Sequence, residues 1–267
     1  DTVSDRMSQM NKNMDKMTVL ANQLVTAVQL NHGSAADMNV VNQMARENLI
    51  FIQDLINQQY DGLYLFAGSD SVTPPFLDNS VLNSNFQNQI SAWLGGALTN
   101  AQLTAATEAF STTNLGLSPG LAAAGAVSAR IDHNLDVDYT IKADQAGFKD
   151  IINALTFAAN LTYPDPLADA ATVAQFNDIL QHITTVATRG IGEMNDTNLQ
   201  LASKFNLVKT IREKHISDEA LFGAQIDKIE IVDPTNAIAS MQALQTQLTA
   251  AYQVTKIVSE MSLVNFM

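Results

Sequence analysis

Between Asp132 and Asp138 the chain reads DHNLDVD, with oxygen donors at alternate positions Asp132, Asn134 and Asp136. A calcium loop opens in this way, but it also needs glycine at its sixth position and a bidentate glutamate at its twelfth. Those positions hold Val137 and Ala143. The alternation is read instead as the solvated face of a strand. Gly190-Ile191-Gly192 begins a dinucleotide-type glycine pattern. Its third glycine is replaced by Asn195, and a helical rather than a strand pattern precedes it. His32, His133, His182 and His215 are widely separated, and no two stand four apart, so no zinc set is expected. The sequence has no cysteine and no G-x-S-x-G elbow, which removes thiol chemistry, disulfides and the hydrolase nucleophile. No catalytic residue, cofactor or metal is expected, and the working parts of this chain should be surfaces.

The elements that carry those surfaces follow from composition and period. Of 267 residues 46% are hydrophobic, enough for a real core, while only 6% are aromatic and 15% charged. This composition favours helices with polar rather than charged outer faces. A net charge of −13 with no offsetting basic cluster argues against nucleic acid or an anionic membrane surface as partner. No apolar run reaches the length of a membrane span, and no basic segment followed by an apolar core marks a Sec-type signal. Because the chain opens at Asp1, a preceding piece is expected.

Val3, Met7, Met10, Met14, Met17, Ala21, Leu24 and Val28 alternate by four and three residues, a heptad seam on a first helix. The seam serves either the chain's own core or a contact with other subunits, and flexible methionines suit both. A break at Gly33 and a cap at Ser34 start a second helix, predicted to run to about Tyr60 and to end at Asp61-Gly62. A short strand-like run, LYLFAG, and then Pro74 and Pro75 turn the chain away. Residues 77 to 130 read as a small mixed region. Trp93 there either anchors a local core or contacts a neighbour. The stretch 135 to 141 has strand period, and a helix is expected over 145 to 160.

A new helix is expected to start near Asp169. Its heptad runs through Phe176, Leu180, Ile183, Ala187, Met194, Leu201, Phe205 and Val208, weakened by the glycines at 190 and 192. Asp233 and Pro234 supply a cap and first residue for a last helix, predicted to reach about Phe266. Between Thr235 and Phe266 only Lys256 and Glu260 are charged, so this helix needs a cover.

The stretch QQYDGLYLFAGSDSVTPPF, with Tyr64, Leu65, Phe66, Ala67, Gly68, Pro74, Pro75 and Phe76, resembles a segment of the flagellar hook-associated protein 3 family, the hook–filament junction relatives of flagellin. QALQTQLTAAYQVTKIVSEMSLVNFM resembles that family's end, and VDYTIKADQAGFKDIINAL its strand and helix after the inserted domain. The likeness spans most of residues 1 to 80 and 136 to 267; residues 80 to 130 match nothing. It implies a mainly α, flagellin-like rod of long antiparallel helices with a small inserted α+β domain and a C-terminal helix. The implied boundaries are 1–69 and 166–233 for the rod, 70–165 for the insert and 234–267 for a tube helix.

The implied function is a structural subunit joining hook to filament, exported through the type III apparatus and placed outside the cell in the flagellum. Its partners would be copies of itself in a ring or helical array, a neighbouring hook-associated protein, flagellin and an export chaperone, with no nucleic acid and no membrane insertion. The family's chains carry a further helical segment before the point where this one starts. Candidate subunit contacts are Met7, Met10, Met14, Met17, Ile238, Met241, Leu244, Leu248, Ala251, Val258, Met261 and Leu263. The alternatives are a flagellin filament subunit, which more often closes on Leu-Leu-Arg, and a soluble helical adaptor or export-chaperone-like module.

Overall fold

A computed structural model describes residues 2–30, 34–164, 170–230 and 234–264, with the side chains of all but Glu230, Pro234, Ser262, Leu263 and Val264. The break at Gly33, the start at Asp169, the cap at Asp233, the contact at Leu263 and the end at Phe266 lie outside the described residues or side chains. The chain is mainly α. Helices α1 (Thr2–Leu30), α2 (Ala35–Ile56), α3 (Asn79–Leu94), α4 (Asn100–Glu108), α5 (Ala146–Asn160), α6 (Ala170–Glu230) and α7 (Pro234–Val264) carry it. Two antiparallel hairpins interrupt them, β1 (Gln59–Tyr60) with β2 (Leu63–Tyr64) and β3 (Ser128–Asp132) with β4 (Leu135–Asp138). The chain divides into two units, Asp1–Ile211 and Arg212–Met267.

In the first unit α1 and α2 run antiparallel. Asn48 Nδ2 donates to Leu20 O at 3.2 Å near one end, and Asn13 Nδ2 to Leu55 O at 3.3 Å near the other. Ser34 caps α2 as its sequence suggests, its Oγ accepting from the Asp37 N–H at 3.2 Å. Helix α5 is the centre of the core: Phe148, Ile151, Ile152, Leu155, Phe157 and Ala158 are all buried, as expected of a helix apolar around its circumference. α2 holds its C-terminal end, with Asn42 Nδ2 donating to Ala158 O and Leu161 O and Arg46 Nε to Ala159 O at 3.1 Å. These carbonyls of the last turn have no partner within the helix, so the two side chains act as its cap. On the other side α3 packs Phe86 between Phe110 and Phe157, with ring centroids 5.0 and 5.8 Å apart. Trp93 is buried there, its Nε1 donating to Asn100 Oδ1 at 2.8 Å, so it anchors the local core. The buried residues from Phe76 to Leu161 thus share one core with α1 and α2.

Three local readings change. Helix α2 ends at Ile56, and Asp61-Gly62 is the tip of the β1–β2 hairpin, with φ of 52° and 75°. Two successive left-handed residues form the hairpin turn that matches strand twist, so the pair that resembled a helix terminator serves a turn. The strand signal at 135 to 141 gains a partner, β3, whose period was less visible. Helix α6 is unbroken through Gly190 and Gly192. A Cβ at Gly190 would stand 2.9 Å from Asp150 Cβ and 3.0 Å from Ile151 Cγ1, and one at Gly147 would stand 3.0 Å from Met194 N. These glycines let α5 and α6 approach closely.

Candidate assembly surfaces

The first methionine of α1 already shows where its seam points. Met7, Met10, Met14 and Met17 are 0–1% exposed, and Ala21, Leu24 and Val28 continue the same buried line. This is a correction for the four methionines as subunit contacts: the seam is filled by the chain itself, and they present no surface to a neighbour. The heptad spacing was right, but a seam's period does not say whose side chains fill it.

The YLFAG…PPF stretch is an internal strap. Leu65, Phe66, Ala67, Pro75 and Phe76 are buried, with Phe66 against Phe148 at a centroid distance of 5.2 Å. Tyr64 O accepts from Arg6 Nη2 at 2.7 Å, and Phe66 O from the Ala143 N–H at 2.9 Å. Gly68 takes φ 64° beside Gly125 O and the Lys142 side chain, a close approach that a Cβ would crowd. Pro75 O accepts from the Ser118 N–H at 2.8 Å, while Pro74 before it is only partly buried. Phe76 exchanges two 2.9 Å hydrogen bonds with the Asn57 side chain. The motif fastens the end of α2 to residues 115–125 and 142–143, so its role in this chain is positional.

The second unit presents the opposite case. Every side chain from 235 to 261 is exposed. Ile238 is 57% exposed, Met241 71%, Leu244 62%, Leu248 57%, Val258 60% and Met261 59%. Met241, Leu244, Leu248, Ala251, Val258 and Met261 follow at 3, 4, 3, 7 and 3 residues, a seam of coiled-coil period on bare helix. The last part of α6 adds Phe222, Ile226 and Ile229, also exposed, which sequence reading passed over. Their spacing of 4 and 3 continues the period followed to Val208 and would have found them.

The polar groups that drew attention in the sequence are structural. Asp132 Oδ1 accepts from the His133 N–H at 2.7 Å, Asp136 pairs with Arg130 at 2.9 Å, and Asp138 accepts from the Thr140 N–H at 2.8 Å. Each aspartate has its own local task on the β3–β4 hairpin. Arg189 of α6 ties three helices, its Nε 2.6 Å from Asp150 Oδ2 of α5 and its Nη1 3.2 Å from Glu108 Oε1 of α4. The hydrogen bonds to Asp150 raise the pKa of its guanidinium further. His182 lies 3.8 Å from the same Glu108 oxygen; burial holds its pKa below the ordinary value, with Glu108 opposing and Arg189 assisting. A cavity of about 300 Å³ between Tyr139, Gln145 and α6 contains two acceptors without a hydrogen bond, Gln145 Oε1 and Glu193 Oε2. Among the described residues no three His, Cys, Asp or Glu side chains gather as a metal set, and no helix is long and apolar enough to cross a membrane.

No protein-family model matches the chain, and no curated protein matches it. A solved structure described as a flagellar hook-associated protein from Vibrio parahaemolyticus is similar at a TM-score of 0.44 and 12% identity, over 81% of this chain and 84% of that one. At that level the likeness assigns neither a family nor a function to this chain.

Proposed function

We propose that this chain is a structural subunit of the bacterial flagellum at the junction of hook and filament. The observation that carries the reading is the contrast between the units. Residues 1 to 211 close a core of their own, whereas α7 exposes a seam of coiled-coil period along its described side chains. An apolar seam of that length is unfavourable in water and is expected of an assembly surface. Burying it on assembly, in head-to-tail contacts, would join copies into a ring or helical array. The resemblance of residues 64 to 76 and of the C-terminal stretch to hook-associated protein 3 supports the flagellar setting. In this reading the chain is exported, stands outside the cell between a neighbouring hook-associated protein and flagellin, is met before export by a chaperone, and does no catalysis.

Immunogold microscopy of purified flagella with antibody against residues 77–130 tests it. A single band between hook and filament is expected. Label along the whole filament would make the chain a flagellin, and absence of label on flagella would favour a soluble adaptor.

A further inference from the structure

The first unit carries an apolar groove on its surface. It lies between α1 and α2, encloses about 460 Å³ and is lined by Lys16, Val19, Leu20, Phe51, Asp54 and Leu55. Val19 and Phe51 are 56% and 59% exposed, unusual for side chains so close to a filled seam. Lys16 stands on one wall and Asp54 on the other. Both are exposed, and neither has a hydrogen bond or ion pair among the described residues. The groove thus offers an apolar floor with one free cation and one free anion beside it.

We propose that this groove receives α7 of a second copy of the chain, an inference that rests on the structural-subunit reading. The charges choose the occupant. In its 31 residues α7 carries one lysine and one glutamate, Lys256 and Glu260. They stand one turn apart, with Ile257 and Met261 next to them on the adjoining part of the helix surface. Laid in the groove, that side places Ile257 and Met261 on Phe51 and Val19, Lys256 toward Asp54 and Glu260 toward Lys16. The other uncovered apolar stretch, the end of α6, fits worse. It brings eight charged residues between Arg212 and Glu230, which the two groove charges cannot match. Opposite charges at the rim set partner and register more than they add affinity, while the apolar contact supplies the affinity.

The absence of cysteine makes a crosslinking test clean. A chain carrying Asp54→Cys is mixed with one carrying Lys256→Cys and oxidised mildly. A disulfide between the two chains is expected, since it requires the two Cα atoms to come within roughly 7 Å. Phe51→Asp on the first chain should cut its yield about tenfold or more, the equivalent of one buried aromatic side chain. Lys16→Glu on the first chain should lower the yield severalfold, and Glu260→Lys on the second should restore it. Phe51 and Lys16 are exposed, so loss of fold does not confuse either result, and circular dichroism checks this.

A crosslink indifferent to Phe51→Asp, or a charge exchange that fails to restore the yield, would overturn the inference. So would closure of a doubly substituted single chain on itself at high dilution with no product between chains. Association by sedimentation without the crosslink would remove the groove but leave the subunit reading in place. Absence of association at any concentration would count against both.

Discussion

His182 is a titratable side chain whose burial should be visible in bulk stability. The folded chain holds its imidazole neutral, because burial, helped by Arg189, lowers its pKa from the ordinary 6.5. On acidification through about 6.5 the unfolded chain therefore takes up a proton that the folded chain resists. The contribution is absent above that value and becomes a destabilisation below it. Melting temperatures of the wild type and of His182→Gln, measured from pH 7.5 to 5, should converge in the variant's favour as pH falls. Parallel curves would show that Glu108 already compensates the charge. Asn42 is a second buried polar residue, one that does not titrate: its amide holds Ala158 O in the last turn of α5 and Leu161 O just beyond it. Asn42→Ala should cost about 1–3 kcal/mol in urea unfolding, because buried acceptors lose their donor.

At the scale of elements, two glycines two residues apart, and so on different faces of one helix, tell opposite stories. Gly190 faces the α5 backbone, with Ile151 N 3.1 Å from where a Cβ would sit, whereas Gly192 has nothing within 4 Å. Gly190→Ala should destabilise by about 1–3 kcal/mol through overpacking. Gly192→Ala should stabilise by up to about 1 kcal/mol through helix propensity. From sequence both looked like the same weakness in α6, because a close helix crossing leaves no trace other than the small residue itself. The helices were otherwise legible: the 3–4 spacing from Met7 to Val28 and from Phe176 to Val208 marks faces that the structure buries. What the spacing could not supply was the identity of the covering partner. Met14 and Met241 occupy equivalent seam positions, yet one is 0% and the other 71% exposed. Met14→Ala should therefore cost about 2–5 kcal/mol in chemical denaturation. Met241→Ala should leave the dilute chain within about 0.5 kcal/mol of the wild type. The Asp61-Gly62 hairpin was missed for a similar reason, since glycine after a polar residue ends helices and turns hairpins alike.

For the whole molecule, the division of burial becomes a division of local stability. Opening free energy follows buried contacts, so amides of α5 and of α1 from Met7 to Leu24 should exchange only when the first unit unfolds globally. The described amides from 235 to 261 belong to a helix whose side chains are all exposed, and most helical stability in proteins comes from packing of an apolar face, which this stretch lacks. Hydrogen exchange on the dilute chain should show the two sets differing by several orders of magnitude. Raising the concentration should slow the second set while leaving the first unchanged, because association protects what it covers. Slow exchange across 240 to 261 at the lowest concentration would mean that α7 is covered without a second copy, and the exposed seam could then no longer be the surface on which copies join.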